Sequence, residues 1–157
     1  MVRSVMRSAA TALAIALLLS GCSSSDPVAQ EPQESAPTSA TCTSTQQQQG
    51  GAWVEGQLAA FADENFEKAY SYASELFRSR NGFQQFVAII VSNYGFLVNS
   101  RSYAVTTCSK TGEYFSFTVN VTDRSGKLYP MGYTLSLIEE VWGVVAAVVT
   151  EDSGTST

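Results

Sequence analysis

The chain has 157 residues, with 9 basic and 14 acidic side chains, a formal charge of -5, and no histidine. The acidic balance argues against electrostatic binding of nucleic acid or of an anionic membrane surface. The lack of histidine removes the side chain most used for acid–base work near neutral pH and the commonest metal ligand, so neither a metal nor a cofactor is expected.

The first element is a leader. Arg3 and Arg7 form a basic start, and Ala9 to Leu19 form an apolar run of signal-peptide length. That run is too short to span a bilayer, which needs about 20 apolar residues. It ends in Leu19-Ser20-Gly21-Cys22, which resembles the lipobox of bacterial lipoproteins: an aliphatic residue, a small residue, Gly or Ala, then Cys. The resemblance implies removal of residues 1–21 as a signal peptide and acylation of Cys22, which would hold the protein in the cell membrane on its extracytoplasmic side. Two or more acyl chains anchor stably where one does not. With Arg3 and Arg7 removed, 7 of the 9 basic residues remain against 14 acidic ones.

Residues 22–51 are rich in Ser, Thr, Pro, Gln and Ala, with three of the chain's 4 prolines at Pro27, Pro32 and Pro37. Apolar residues are too sparse there to offset the entropy of ordering, so a disordered tether is expected. About thirty flexible residues span roughly 30 Å. Gln46 to Gln49 are compatible with a helix start, but Gly50-Gly51 argues for a break. If Cys22 is acylated, Cys42 and Cys108 are left to form a disulfide in an oxidising compartment, a bond worth about 2–4 kcal/mol. The alternative is that Cys108 is a small buried apolar residue and Cys42 is free.

Residues 52–150 carry the foldable pattern, and 151–157 read as a disordered tail. A first helix is predicted from Trp53 to Ala62, with Val54, Leu58 and Phe61 on one face. Asn65 is a fitting N-cap for a second helix that carries Phe66, Ala69, Tyr70, Ala73 and Phe77. A third, from about Gly82 to Tyr94, has the cleanest amphipathic period, with Phe83, Phe86, Val87, Ile90, Val91 and Tyr94 on one side and Gly95 as its stop.

After Ser100 the period changes to two. Strands are predicted over Ser102–Cys108, Glu113–Thr122, Leu128–Leu137 and Val141–Thr150. Phe115, Phe117, Val119 and Val121 alternate with polar residues, and Asp123-Arg124-Ser125-Gly126 has hairpin-turn composition. Pro130 implies an edge or bulge. The last strand is apolar on both faces and is therefore expected to be the most buried.

The fold class is α+β: three N-terminal helices packed on a curved four-stranded antiparallel sheet that wraps the third helix. Four stretches carry a resemblance: Gln57 to Tyr70, Gly82 to Phe86, Val121 to Gly126, and Tyr133-Thr134-Leu135 leading to Trp142. On these the chain is similar to the nuclear-transport-factor-2-like (cystatin-like) cone folds, and within them to small bacterial exported domains of unknown function. Enzymes of that fold work through Asp, Tyr and His inside the cone. Here every carboxylate of the domain falls at a turn, an element end or off an apolar stripe.

Tyr94, Tyr103, Tyr129, Tyr133 and Trp142 are the candidate pocket lining, offering hydroxyl and indole donors to a ligand; the same five also suit a filled core. The Asp63-Glu64 and Glu139-Glu140 pairs lack the ligand count of a calcium site. The expected function is a membrane-anchored, non-catalytic binding or interaction module. Its expected partners are an envelope protein, a small apolar ligand, or a second copy paired through the sheet face. An isomerase- or dehydratase-like enzyme using Tyr and carboxylate groups is the alternative.

Overall fold

Thr43 starts the first helix. Its side chain accepts from Gln46 N at 3.2 Å while Gln46 Oε1 accepts from Thr43 N at 3.0 Å, a reciprocal capping box. The structure, a computed structural model, describes residues 38–150. The leader, Cys22, the tether up to residue 37 and the tail at 151–157 lie outside the described residues.

The elements run β1 (Ser39–Thr41), α1 (Ser44–Ala62), α2 (Phe66–Ser71), α3 (Glu75–Arg80), α4 (Phe83–Asn93), α5 (Gly95–Val98), β2 (Ser100–Thr111), β3 (Tyr114–Asp123), β4 (Leu128–Ile138) and β5 (Val141–Val149). All neighbouring strands are antiparallel, in the order β1-β2-β3-β4-β5. The class is α+β, with helices preceding an open five-stranded sheet.

The end of the expected tether is ordered. Ser39–Thr41 pairs with Ser109–Thr111, so β2 runs three residues past Cys108, the predicted end of that strand. Cys42, next in the chain, is buried and disulfide-bonded to Cys108 across 66 residues. The helix that follows passes straight through Gly50-Gly51, where a break was expected. Both glycines are buried because α1 lies close on the sheet there.

The expected second helix is two. Asn65 caps α2, accepting from Lys68 N at 3.0 Å. The chain then leaves helical geometry at Ala73, where Val144 N donates to Tyr72 O at 2.9 Å and Ser74 N donates to Val144 O at 2.8 Å. Ser74 caps α3 by accepting from Phe77 N. Pairing with the β5 edge outweighs the continuous helical pattern. The third predicted helix stops just before Gly95, with Tyr94 as the C-cap of α4, and Gly95 then opens the short α5.

The central helix is α1, not the third predicted one. Val54, Leu58 and Phe61 on α1 are fully buried, while α4 buries only Phe86 and Ile90. The strongest strand pattern holds: Phe115, Phe117, Val119 and Val121 on β3 face the helices with Met131, Tyr133 and Leu135 on β4. Ser116 and Thr118 point the other way and are exposed.

The expectation for the last strand is overturned. β5 is the sheet edge, and Val141, Val148 and Val149 are exposed. Only its first half is covered, because Ala73 and Ser74 lie against Val144 and Gly143. A bulge after Leu135–Val144 shifts the register beyond it. The β4–β5 hairpin turns through Glu139 (φ 49) and Glu140 (φ 62), both left-handed, the backbone of a two-residue type I′ connection.

Candidate functional site

One concavity of the described residues is lined mainly by apolar side chains and is partly open to solvent. It lies between α1, α4, α5 and the second half of β5, with a volume of about 110 Å³. Gln57 and Phe61 come from the buried face of α1, Phe86 and Ile90 from α4, Leu97 from α5, and Val144 to Ala147 from β5. Phe77, Ile89 and Ala146 are partly or fully exposed at its rim.

Three lining side chains carry polar groups. Gln57, 3% exposed, donates from Nε2 to Ala69 O at 3.0 Å and so ties α1 to α2. Tyr94, which closes α4, donates its hydroxyl to Ala147 O at 3.2 Å. Tyr133, 1% exposed, stands on β4 opposite Ala147, and its hydroxyl is paired with no protein group. Burial, and then the neighbouring Tyr94 phenol, push the Tyr133 hydroxyl far above the ordinary tyrosine range. Tyr133 is therefore a neutral phenol at every physiological pH.

Of the five aromatic side chains proposed for a pocket, the fold brings Tyr94 and Tyr133 together and sends the other three elsewhere. Tyr103 is half-buried on β2, opposite Val121. Tyr129 stacks on Phe96 with centroids 4.0 Å apart and donates to Asp123 Oδ2 at 3.2 Å. Trp142 packs edge-on to Phe115 in the core. Its other side meets a broad, shallow depression shared with Gln49, Ala52, Trp53, Leu137 and Glu140.

Gln57, Phe61, Ile90 and Leu97 were not named in advance as lining. For Gln57 a signal existed: a polar residue three positions after Val54, on the apolar stripe of α1. The others are indistinguishable in sequence from ordinary core.

The cavity holds no carboxylate and no cation among its lining residues, and Arg101 is not one of them. Asp123 illustrates where the carboxylates go. It accepts from the Ser125 hydroxyl at 2.6 Å and from Ser125 N and Lys127 N, stitching the β3–β4 turn, and the Ser125 hydroxyl leads in holding its carboxyl below the usual range. No cluster of three or more His, Cys, Asp or Glu that could hold a metal occurs among the described residues. No described helix is long and apolar enough to cross a membrane. The outer sheet face, the expected pairing surface, presents hydroxyls, with Thr107 Oγ1 2.8 Å from Thr118 Oγ1.

The fold and cavity together define a small α+β domain with helices on one face of an antiparallel sheet and an apolar chamber between the layers. Residues 43–157, from the N-cap of α1 onward, match the family described as a domain of unknown function (DUF4864), and the chain belongs to that family. No curated protein and no solved structure matches the chain significantly.

Proposed function

We propose that this protein is a lipid-anchored component of the bacterial cell envelope. Its folded domain, a variant of the cystatin-like cone, serves there as a non-catalytic binding module. The observation that carries the setting is the Cys42–Cys108 bond. It engages the two cysteines left over when Cys22 is taken by acylation, and such bonds persist in oxidising, exported environments. The lipobox at Leu19-Ser20-Gly21-Cys22 supports the same location.

Binding is favoured over catalysis by the chemistry of the chamber. Its polar groups are two phenols and one amide, none of which exchanges protons near neutral pH unless strongly perturbed downward, and the Tyr133 shift is upward. An isomerase- or dehydratase-like reading needs a carboxylate within reach of these phenols. The Tyr–carboxylate pair present, Tyr129 with Asp123, belongs to a turn.

The test is a fractionation of cells expressing the full chain or its Cys22→Ala variant, with intact mass of the product. The native chain should partition with membranes and carry the diacylglyceryl mass, and the variant should lose both. A variant that still partitions and carries the same modification sinks the proposal.

A further inference from the structure

We propose that the depression lined by Trp53, Trp142 and Glu140 binds an alkylated organic ammonium ion, its head against the Trp53 ring and its charge beside the Glu140 carboxylate. This rests on the reading of the domain as a binding module and names a ligand class for it, at a site separate from the chamber.

Both tryptophans of the chain line this one depression, Trp53 from α1 and Trp142 from β5. Trp53 is half-buried and held in place: its Nε1 donates to Tyr72 O at 2.9 Å, and Tyr72 packs edge-on with centroids 5.1 Å apart. With that N–H engaged, Trp53 has its ring left to offer. Trp142 is 6% exposed and forms the floor, fixed against Phe115 at 4.8 Å. Tryptophan is the best aromatic partner for a cation. Yet the cation–π contacts among the described residues use weaker rings, Lys110 over Phe115 and Lys127 over Tyr129. They put no cation over either tryptophan.

Charge sets the sign of the ligand. Glu140 is exposed and is the one ionisable side chain lining the depression, so an anion is repelled and a cation gains. Its neighbour Glu139 shares the turn, the charge and the left-handed backbone but does not line the depression. Residues 22–37 and 151–157 contain no Lys or Arg, so tether and tail do not supply the cation. A volume of about 510 Å³ falls within the roughly 300–1,000 Å³ of small-molecule sites and leaves room for the group that bears the ammonium. Alkylation suits the site because an alkylated head is weakly hydrated and meets ring carbons at little desolvation cost.

The experiment follows the two indole N–H NMR signals, assigned through Trp53→Phe, in residues 22–157 carrying Cys22→Ala. That chain retains every described residue and has no acyl group. Choline is titrated at physiological ionic strength beside its neutral tert-butyl isostere, in which carbon replaces nitrogen. Choline should shift both signals and bind at least about fivefold more tightly than the isostere. Glu140→Gln should weaken choline about fivefold, and Glu139→Gln less than about twofold, since both sit on an exposed turn and only Glu140 lines the site. Phosphatidylcholine vesicles distinguish the source. A response to choline alone assigns a free ammonium compound, and a response to both assigns a lipid headgroup as well; either supports the proposal.

If choline shifts neither indole signal of the folded protein, the proposal falls. Equal affinity for choline and its neutral isostere also overturns it, because the charge would then contribute nothing. So does unchanged choline affinity in Glu140→Gln, or equal weakening by the two glutamate variants, which would make the effect long-range. None of these failures touches the Cys22 fractionation, which reads the anchor and is blind to the depression.

Discussion

Gly50 of α1 rests directly on the ring of Phe117 in β3. A Cβ built at position 50 would stand 2.9 Å from Phe117 Cε2, closer than such atoms come in folded proteins, and 3.1 Å from Trp142 Cζ3. The helix can lie this deep on the sheet only because residue 50 lacks a side chain. That approach brings Val54, Leu58 and Phe61 into the core and forms one wall of the chamber.

The two adjacent glycines should therefore respond to alanine with opposite signs. Gly50→Ala should lower stability by about 1–2 kcal/mol, since overpacking against two rigid rings exceeds the roughly 1 kcal/mol of helix propensity gained. At Gly51 the nearest atom to an added Cβ is Val105 Cγ1 at 3.8 Å, an ordinary contact. Gly51→Ala should raise stability by up to about 1 kcal/mol. Urea denaturation of both variants checks this, and equal shifts for the two would contradict the packing described.

Loss of the Cys42–Cys108 bond should be costly for a domain of this size. Cys42→Ser, or reduction, releases a loop of 66 residues and should destabilise by about 2–4 kcal/mol. It should also free β1, whose three residues pair only with the end of β2. Thiol titration of the unfolded, unreduced mature protein gives the direct reading. Two reactive thiols per chain would rule the bond out.

Alkaline pH should weaken the fold through Tyr133. Burial raises its folded pKa above the ordinary value of 10.0, so the folded state keeps a proton that the unfolded chain releases. The stability linked to this group is fully present below about pH 10 and falls as pH rises beyond that. Between about pH 9.5 and pH 11 the native protein should lose about 1 kcal/mol more than Tyr133→Phe does. Parallel pH profiles of the two proteins would show that Tyr133 titrates normally. Below that range the variant should be at least as stable as the native chain, because it removes an unpaired buried hydroxyl.

Local pattern carried the class of the fold and much of its register. Phe115 to Val121 alternate cleanly because β3 has helices on one face and solvent on the other, and period-two burial follows directly from strand geometry. Asn65 caps a helix and Asp123 to Gly126 turn a hairpin because both depend on side-chain-to-backbone bonds within a few residues. The capping box at Thr43 and Gln46 was equally local, and its pattern outranked the two glycines that seemed to interrupt the helix.

What failed was position within the whole. An all-apolar strand reads as central, yet β5 is an edge, half covered by Ala73 and Ser74 in a segment whose own pattern is helical. Of five aromatic side chains with the right chemistry, only Tyr94 and Tyr133 meet, because α4 happens to end beside the second half of β5. The same holds for Cys42 and Cys108: a bond between them was a reasonable expectation, but their meeting depends on β1 pairing with the end of β2. By itself the sequence determined the α+β class of the domain, since periodicity and caps are short-range signals. Only the tertiary structure decided which hydroxyl is left unpaired in an apolar chamber, because a side chain's partners are set by residues distant in the chain.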